Sequence, residues 1–385
     1  MKQAFAGMLT TVLLAATAFA APVVKVGYEA AEKIGVRIDV KNADFAKSLR
    51  RNLVLSGCFR EDPSGSIAVA GEVGAGITAE GRGRRLTLPS TAADAKAARM
   101  EARRLSDRMC EVFAGQKGFA ADRVVFVARR GKGVSELCTC YPDGYDINQL
   151  TGDGKSVVGP RWSGRDTILF TGIYNSGPQV FELDTAAMKR KLRWSFKGLA
   201  TGAVVSPDGK RVAIILSIHG NPELYVIDVA AGTWTRLTTT PGASEGQPAW
   251  SPDGREIVYV SDETRRPQLY VVDVATKKKR RLTSKGSQNV DPDWSADGRV
   301  AYTTKRDGQS IVAVVDPSAD DRSARLVTAP GSWEHPSWSR DGRHLVAGRD
   351  NALFVVDTFE KEQGGTDPVQ LFRSAGTWIT PSWSR

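Results

Sequence analysis

Any enzymatic chemistry in this chain has little to work with. Its 385 residues contain three histidines, His219, His335 and His344. No H-E-x-x-H helix is present to hold zinc, and no G-x-S-x-G elbow to present a nucleophilic serine. A metal could join His219 and His335 with an acid, but the two lie in different parts of the chain and no ligand spacing pairs them. His344 opens a strand and reads as structural. The aspartates recur (Asp253, Asp297, Asp341; Asp228, Asp273, Asp316, Asp357), always at turn positions. One role repeated along a chain is architecture, not catalysis. Four cysteines complete the set. Cys58 follows the first helical segment and Cys110 lies in the second, and the two can pair if the helices pack side by side. Cys138 and Cys140, at i and i+2 of a strand, point to the same side, which is poor disulfide geometry. The pattern calls for no cofactor, and the glycines of Gly71–Gly76 do not open a helix as a nucleotide loop would.

The elements that position these residues come from a repeat. Ser206-Pro207-Asp208-Gly209, Ser251-Pro252-Asp253-Gly254, Ser295-Ala296-Asp297-Gly298 and Ser339-Arg340-Asp341-Gly342 are turns, with a degraded copy at Ser163–Asp166. Proline presets φ, aspartate bonds back to the backbone, and glycine takes a conformation that a β-carbon resists. The serines are 43, 45, 44 and 44 residues apart. Trp162, Trp250, Trp294 and Trp338 precede four of them, and Trp383 precedes Ser384. Apolar strands ending in aspartate follow (Glu223–Asp228, Gln268–Asp273, Ile311–Asp316, Ala352–Asp357), and Leu237-Thr238 and Leu282-Thr283 close two units. A period of ~40–45 residues with four short strands per unit is the signature of β-propeller blades. The chain ends on a first strand, Thr380-Pro-Ser-Trp-Ser, with nothing after it. This predicts that the last strand completes a sheet begun near residue 122, giving six blades. Exported propellers also occur in serine peptidases, but those carry a separate hydrolase domain of ~250 residues, for which no room remains.

The expected fold class is an all-β six-bladed β-propeller preceded by a small α/β domain. Residues 1–20 read as a secretory signal, with Lys2, an apolar run and Ala18-Phe19-Ala20 as the cleavage site, so the mature chain begins after Ala20 in the periplasm. Residues 21–119 form the α/β domain and residues 120–385 the propeller. In the first domain, Ile34–Val40 alternates as a strand and Ala43–Ser56 has helical spacing, with Asn42 or Asp44 as cap. Ile67–Glu72 and Arg85–Leu88 read as strands joined by a turn over Gly71–Arg84, and Thr91–Ala114 as a second helix. Formal charge is +10, charged residues make up 25% and mean hydropathy is −0.27. These values fit an ordinary globular protein with acidic partners, and do not by themselves argue nucleic acid. The one charge run, Lys277–Arg281, falls in a hairpin. It reads as a solvated turn, or else as a contact to an anionic membrane surface or peptidoglycan.

Propeller topology places one set of loops at a single mouth of the central channel. Loops before the first strands carry Glu245, Gln247, Asn289, Asp291, Glu334, His335 and Trp378. Loops after the second strands carry His219, Asn221, Arg265, Arg266, Arg306 and Arg349. Loops on rigid scaffolds commonly carry binding. The candidate partner-binding residues are therefore His219, Glu245, Gln247, Asn289, Asp291, Glu334, His335 and Trp378.

The combined pattern resembles the TolB family, periplasmic components of the Tol-Pal system. The resemblance rests on Ile34-Gly-Val and the helix ending Leu55-Ser-Gly-Cys-Phe59, and on Arg123-Val-Val-Phe-Val127. It rests also on Asp143-Gly-Tyr-x-x-Asn-Gln-Leu-Thr151 and the terminal Thr380-Pro-Ser-Trp-Ser384. It implies a non-enzymatic monomer, peripheral to membranes. The mouth would receive the peptidoglycan-associated lipoprotein Pal, and the amino-terminal segment would engage a TolA-like inner-membrane protein, in support of outer-membrane integrity and cell division. The alternatives are a propeller lyase or hydrolase acting on acidic glycans with a metal at His219 and His335, or a generic surface-binding propeller.

Overall fold

The computed structural model describes residues 32–359, 365–372 and 376–384. The signal and its cleavage site lie outside the described residues, as do residues 21–31.

The first described unit is a five-stranded sheet under two helices. Its elements are β1 (Ile34–Asp39), α1 (Ala43–Leu55), β2 (Phe59–Glu61), β3 (Ile67–Glu72), β4 (Gly76–Gly81), β5 (Arg84–Pro89) and α2 (Ala95–Met109). The sheet order is β2-β1-β3-β4-β5. β1 is parallel to both of its neighbours, and β3, β4 and β5 form an antiparallel meander. Asn42 caps α1 by accepting from the Phe45 amide at 3.0 Å, and Asp94 caps α2 by accepting from Ala97 at 2.7 Å. Phe45, Leu49 and Leu53 on α1 meet Leu105 and Met109 on α2 over Val36, Ile67 and Ile77. Two expectations are corrected. The turn expected over Gly71–Arg84 contains β4, a strand hidden by its glycines and by Thr78 and Glu80. Helix α2 also begins four residues later than its periodicity suggests, because Asp94 is its cap, and it ends in a wide turn over Cys110–Ala114.

Six four-stranded antiparallel sheets follow in a ring. Blade I takes its inner strand from the chain end: Thr377–Trp383 pairs with Val124–Gly131, followed by Val134–Cys140 and Asn148–Gln149. This is the ring closure that the unfinished repeat predicts. The inner strands of blades II to VI are Ser156–Trp162, Ala200–Val205, Glu245–Trp250, Gln288–Trp294 and Trp333–Trp338. Second and third strands such as Glu256–Ser261 and Gln268–Asp273 are almost wholly buried, because each blade is covered on both faces by its neighbours.

The repeated motifs are pegs. Ser251 donates to Asp253 at 2.6 Å, the Asp253 carboxylate accepts from the Arg255 amide at 3.0 Å, and Gly254 has φ 68°. Thr283 donates to Gln268 at 2.9 Å and accepts from the Leu269 amide at 2.9 Å, which fastens the end of the fourth strand to the third. Thr238 does the same with Glu223 and Leu224. Trp250 and Trp338 donate to the carbonyls of Val204 and Asp293 in the preceding blades, at 3.0 and 3.1 Å.

The first unit docks on the face formed by the Ser-Pro-Asp-Gly turns. Arg103, fully buried, forks onto Asp143 at 2.9 and 3.0 Å and reaches Asp146 at 2.8 Å. It lies 3.9 Å from the Tyr141 ring centroid. Ser48 adds a 2.7 Å bond to Asp143. Gly144, with φ 79°, lies against the Leu371 carbonyl with no room for a β-carbon. The Asp143-Gly-Tyr motif is therefore a docking element.

Candidate functional site

The inner strand of every blade carries one residue in the left-handed region, at the same place. These are Gly159, Gly202, Gln247, Asp291, His335 and Thr380, with φ between 46° and 67°. Each inner strand shifts register there. Each is followed by proline except Gly202, which precedes Ala203. A non-glycine residue held in this conformation costs on the order of 1–3 kcal/mol. The bulge turns these side chains toward one another around the channel instead of leaving them in a pleat.

On three consecutive blades the ring is a hydrogen-bonded chain. Gln247 donates its amide to Asp291, and the Asp291 backbone N–H donates to Gln247 Oε1 at 3.0 Å. Asp291 accepts from the His335 backbone N–H at 3.1 Å and faces His335 Nδ1 at 2.8 Å. Burial pushes the Asp291 carboxyl up, but His335 and Gln247 outweigh it and hold the group below the usual carboxylate range. Burial likewise pulls His335 down, and Asp291 outweighs it, so the imidazole sits above its ordinary value. About a third of the His335 side chain remains exposed. The other half of the ring is chemically bare: Gly159, Gly202 and Thr380, whose hydroxyl is buried with no hydrogen-bond partner among the described residues.

Two residues further along each strand, Arg161 of blade II lies 3.9 Å from Asp293 of blade V, on the opposite side of the ring. This ion pair spans the channel. Asp293 also accepts from the Trp338 amide at 2.7 Å. Beyond the pair, toward the Ser-Pro-Asp-Gly turns, a cavity of about 360 Å³ opens among Arg161, Trp162, Trp250, Asp293, Trp294 and Trp383. The repeat spacing locates these tryptophans before the turns but does not by itself imply a cavity among them. A ring of one residue type at one repeat position is the signal that could have found it.

The eight sequence candidates divide. Gln247, Asp291 and His335 come together, with Glu334 beside them. Asn289 is fully buried and gives its amide to Gln268 at 2.8 Å and the Lys285 carbonyl at 2.7 Å. Glu245 is 4% exposed inside its blade, where burial pushes its carboxyl up to about 7 against the hydroxyls of Ser261 and Thr240. Trp378 is 7% exposed in a cluster with Phe126 and Phe372, at 5.6 and 5.3 Å, so it is core and not a free rim anchor. His219 sits in a loop of blade III and His335 in blade VI, across the ring, so the two do not form a common site. No group of three metal-ligating side chains occurs among the described residues. His344 is buried, 2.6 Å from Asp341 through Nδ1 and 4.6 Å from Phe119 of the interdomain segment.

The family model for the TolB beta propeller domain matches residues 110–385. The chain belongs to the TolB family. Among curated relatives, the Tol-Pal system protein TolB of Anaeromyxobacter dehalogenans (strain 2CP-C) is 31% identical over 243 residues, covering 53% of this chain and 55% of that protein. The one from Gluconobacter oxydans (strain 621H) is 29% identical over 143 residues, covering 36% of this chain and 32% of that one. The matches thus span a third to about half of the curated relatives' length. The crystal structure of TolB from Acinetobacter baumannii aligns with a TM-score of 0.78 at 21% identity, covering 93% of this TolB-family chain and 98% of that one. It shares the fold of both units.

Proposed function

We propose that this TolB-family protein is a non-enzymatic coupling protein of a periplasmic Tol-Pal system. Its channel mouth at the Gln247–Asp291–His335 ring binds a Pal-like peptidoglycan-associated lipoprotein. Its amino-terminal unit serves a TolA-like inner-membrane protein. The observation that carries the reading is the ring itself. Six strands share one left-handed backbone conformation, yet only three consecutive blades carry a linked amide, carboxylate and imidazole, with Glu334 and Arg161 beside them. Side chains that differ while the backbone repeats can specify a partner without serving the fold. The commitment of Asp253 to its turn, and the same commitment of Asp208, support a binding role over a catalytic one. By linkage, any effect of one partner on the affinity of the other is reciprocal.

The test is capture of purified Pal-like lipoprotein by the mature protein and by a Glu334→Ala, His335→Ala double variant. These side chains are partly exposed, so the fold should survive. A loss of at least about tenfold in affinity, roughly 1.4 kcal/mol, is expected. Equal capture by both proteins would remove the mouth from the proposal.

A further inference from the structure

The junction between the two units holds a pair of thiols that neither the propeller nor its mouth requires. Cys58 follows α1 and Cys110 follows α2, and both thiols are free. Cys110 is 2% exposed in the core of the first unit, and Cys58 packs against that same core while remaining partly open to solvent. The Cys58 sulfur lies 3.4 Å from the Ser56 carbonyl oxygen and 3.9 Å from Arg343 Nη1 of blade VI. Arg343 is itself fixed by Asp357 at 2.9 and 2.6 Å. Gly57, with φ 69°, presses against that guanidinium with no room for a β-carbon, so the chain at Cys58 is held in place.

We propose that Cys58 is a redox-reactive thiol and Cys110 its resolving partner, so that thiol–disulfide exchange with a small or protein disulfide converts the pair into an intramolecular cystine joining the ends of α1 and α2.

The two sulfurs have opposite environments. The neighbouring Cys110 thiol holds Cys58 below an ordinary thiol, at about 7; burial opposes this, and the Arg343 guanidinium adds to it. Cys110 is pushed well above an ordinary thiol by the neighbouring Cys58 and by burial. Cys58 is thus the nucleophile and Cys110 the proton-bearing neighbour, the arrangement of a reactive cysteine beside a resolving one. Cys138 and Cys140 are fully buried within blade I, and burial pushes both thiols up, so they serve as internal controls.

The exchange balances. The Cys58 thiolate attacks one sulfur of an external disulfide, forming a mixed disulfide and expelling one thiolate. Cys110 loses its proton and attacks the Cys58 sulfur, forming the Cys58–Cys110 bond and expelling the second thiolate. One expelled thiolate takes up the proton from Cys110 and the other the proton that Cys58 released to solvent on forming its thiolate, so both leave as thiols. Two protein thiols are oxidised and one external disulfide is reduced.

The experiment uses the mature full chain with glutathione disulfide at neutral pH, quenched by alkylation and read by peptide mass spectrometry. The expected product is a peptide linking Cys58 to Cys110, with Cys138 and Cys140 alkylated after unfolding. Cys110→Ser should instead accumulate glutathione on Cys58. Because that buried substitution can disturb the core, the rate of Cys58 alkylation against pH in the unmodified protein gives a second reading, with a midpoint expected near 7. Failure to form the link while Cys58 alkylates like an unperturbed thiol overturns the proposal, as does oxidation confined to Cys138 and Cys140. The outcome is independent of partner capture at the channel mouth.

Discussion

The two ends of the channel are built from the same six inner strands, yet they diverge in opposite ways. Toward the turns, residue type repeats: Trp162, Trp250, Trp294, Trp338 and Trp383 occupy equivalent positions, and Val205 takes the remaining one. Toward the other mouth the backbone repeats and the residue type does not. Glycine, glycine, glutamine, aspartate, histidine and threonine share one left-handed conformation. Repetition of type marks a part that every blade needs. Repetition of backbone beneath varied side chains marks a place where the fold leaves the choice of chemistry open. That contrast, more than any single contact, separates architecture from the candidate site.

The contrast breaks most visibly if the uniform ring is touched. Trp338 is fully buried, donates to the Asp293 carbonyl and lies 5.1 Å from the Arg299 guanidinium over its ring face. Trp338→Ala should cost about 3–5 kcal/mol through lost burial and the cavity left behind, read as a lowered denaturant midpoint. In the varied ring, Asp291→Ala should cost less, about 1–3 kcal/mol, for the loss of a charged acceptor among three donors. It should also weaken Pal capture, which Trp338→Ala should affect only in proportion to unfolding. If the two substitutions prove equally destabilising, the varied ring is architecture as well.

The next effect is one of pH. His335 has a folded value above its ordinary 6.5, so its contribution to stability is fully present below that point and lost as pH rises through the folded value. Asp291 is shifted down, so its contribution is present above 3.8 and lost as pH falls through the lower folded value. The pair should therefore stabilise most between these limits. Glu245, raised to about 7, and Asp122, raised to about 8, titrate in the same range. The measurement must therefore be a difference: melting temperature against pH for the wild type minus that for Asp291→Ala. The difference should shrink as pH rises above 6.5, and a flat difference would mean that His335 does not ionise against Asp291.

Most of the fold was legible because its determinants are local and repeated. The serine-to-glycine turns, the Leu-Thr closures and the unfinished last repeat each fix a strand boundary or a pairing through short-range bonds. Strand β4 was not legible, since Gly76 and Gly81 mask a meander held by pairing with β3 and β5. The site was legible in part. Counting loops placed Gln247, Asp291 and His335 at one mouth, but could not show that Trp378 and Asn289 two positions earlier turn into the blade, because the bulge between them reverses the pleat. The Arg161–Asp293 bridge joins residues more than a hundred positions apart in blades with no sequence adjacency, and only closure of the ring brings them together.

The smallest prediction bears most directly on the strained ring. Thr380 is the one β-branched residue among the six, with φ 46°. Its hydroxyl is buried without a hydrogen-bond partner among the described residues. The left-handed conformation costs such a residue about 1–2 kcal/mol, while glycine there forfeits about 0.5–1 kcal/mol through the freedom it gains when unfolded. Thr380→Gly should therefore be net stabilising, by about 0.5 kcal/mol, seen as a small rise in the urea midpoint with unchanged slope. The reverse change, Gly159→Thr, places a β-carbon in open space and so isolates the backbone term, which should lower the midpoint. If Thr380→Gly destabilises instead, the threonine side chain supports the ring. The division between a bare half and a chemically active half of the channel would then have to be redrawn to include blade I.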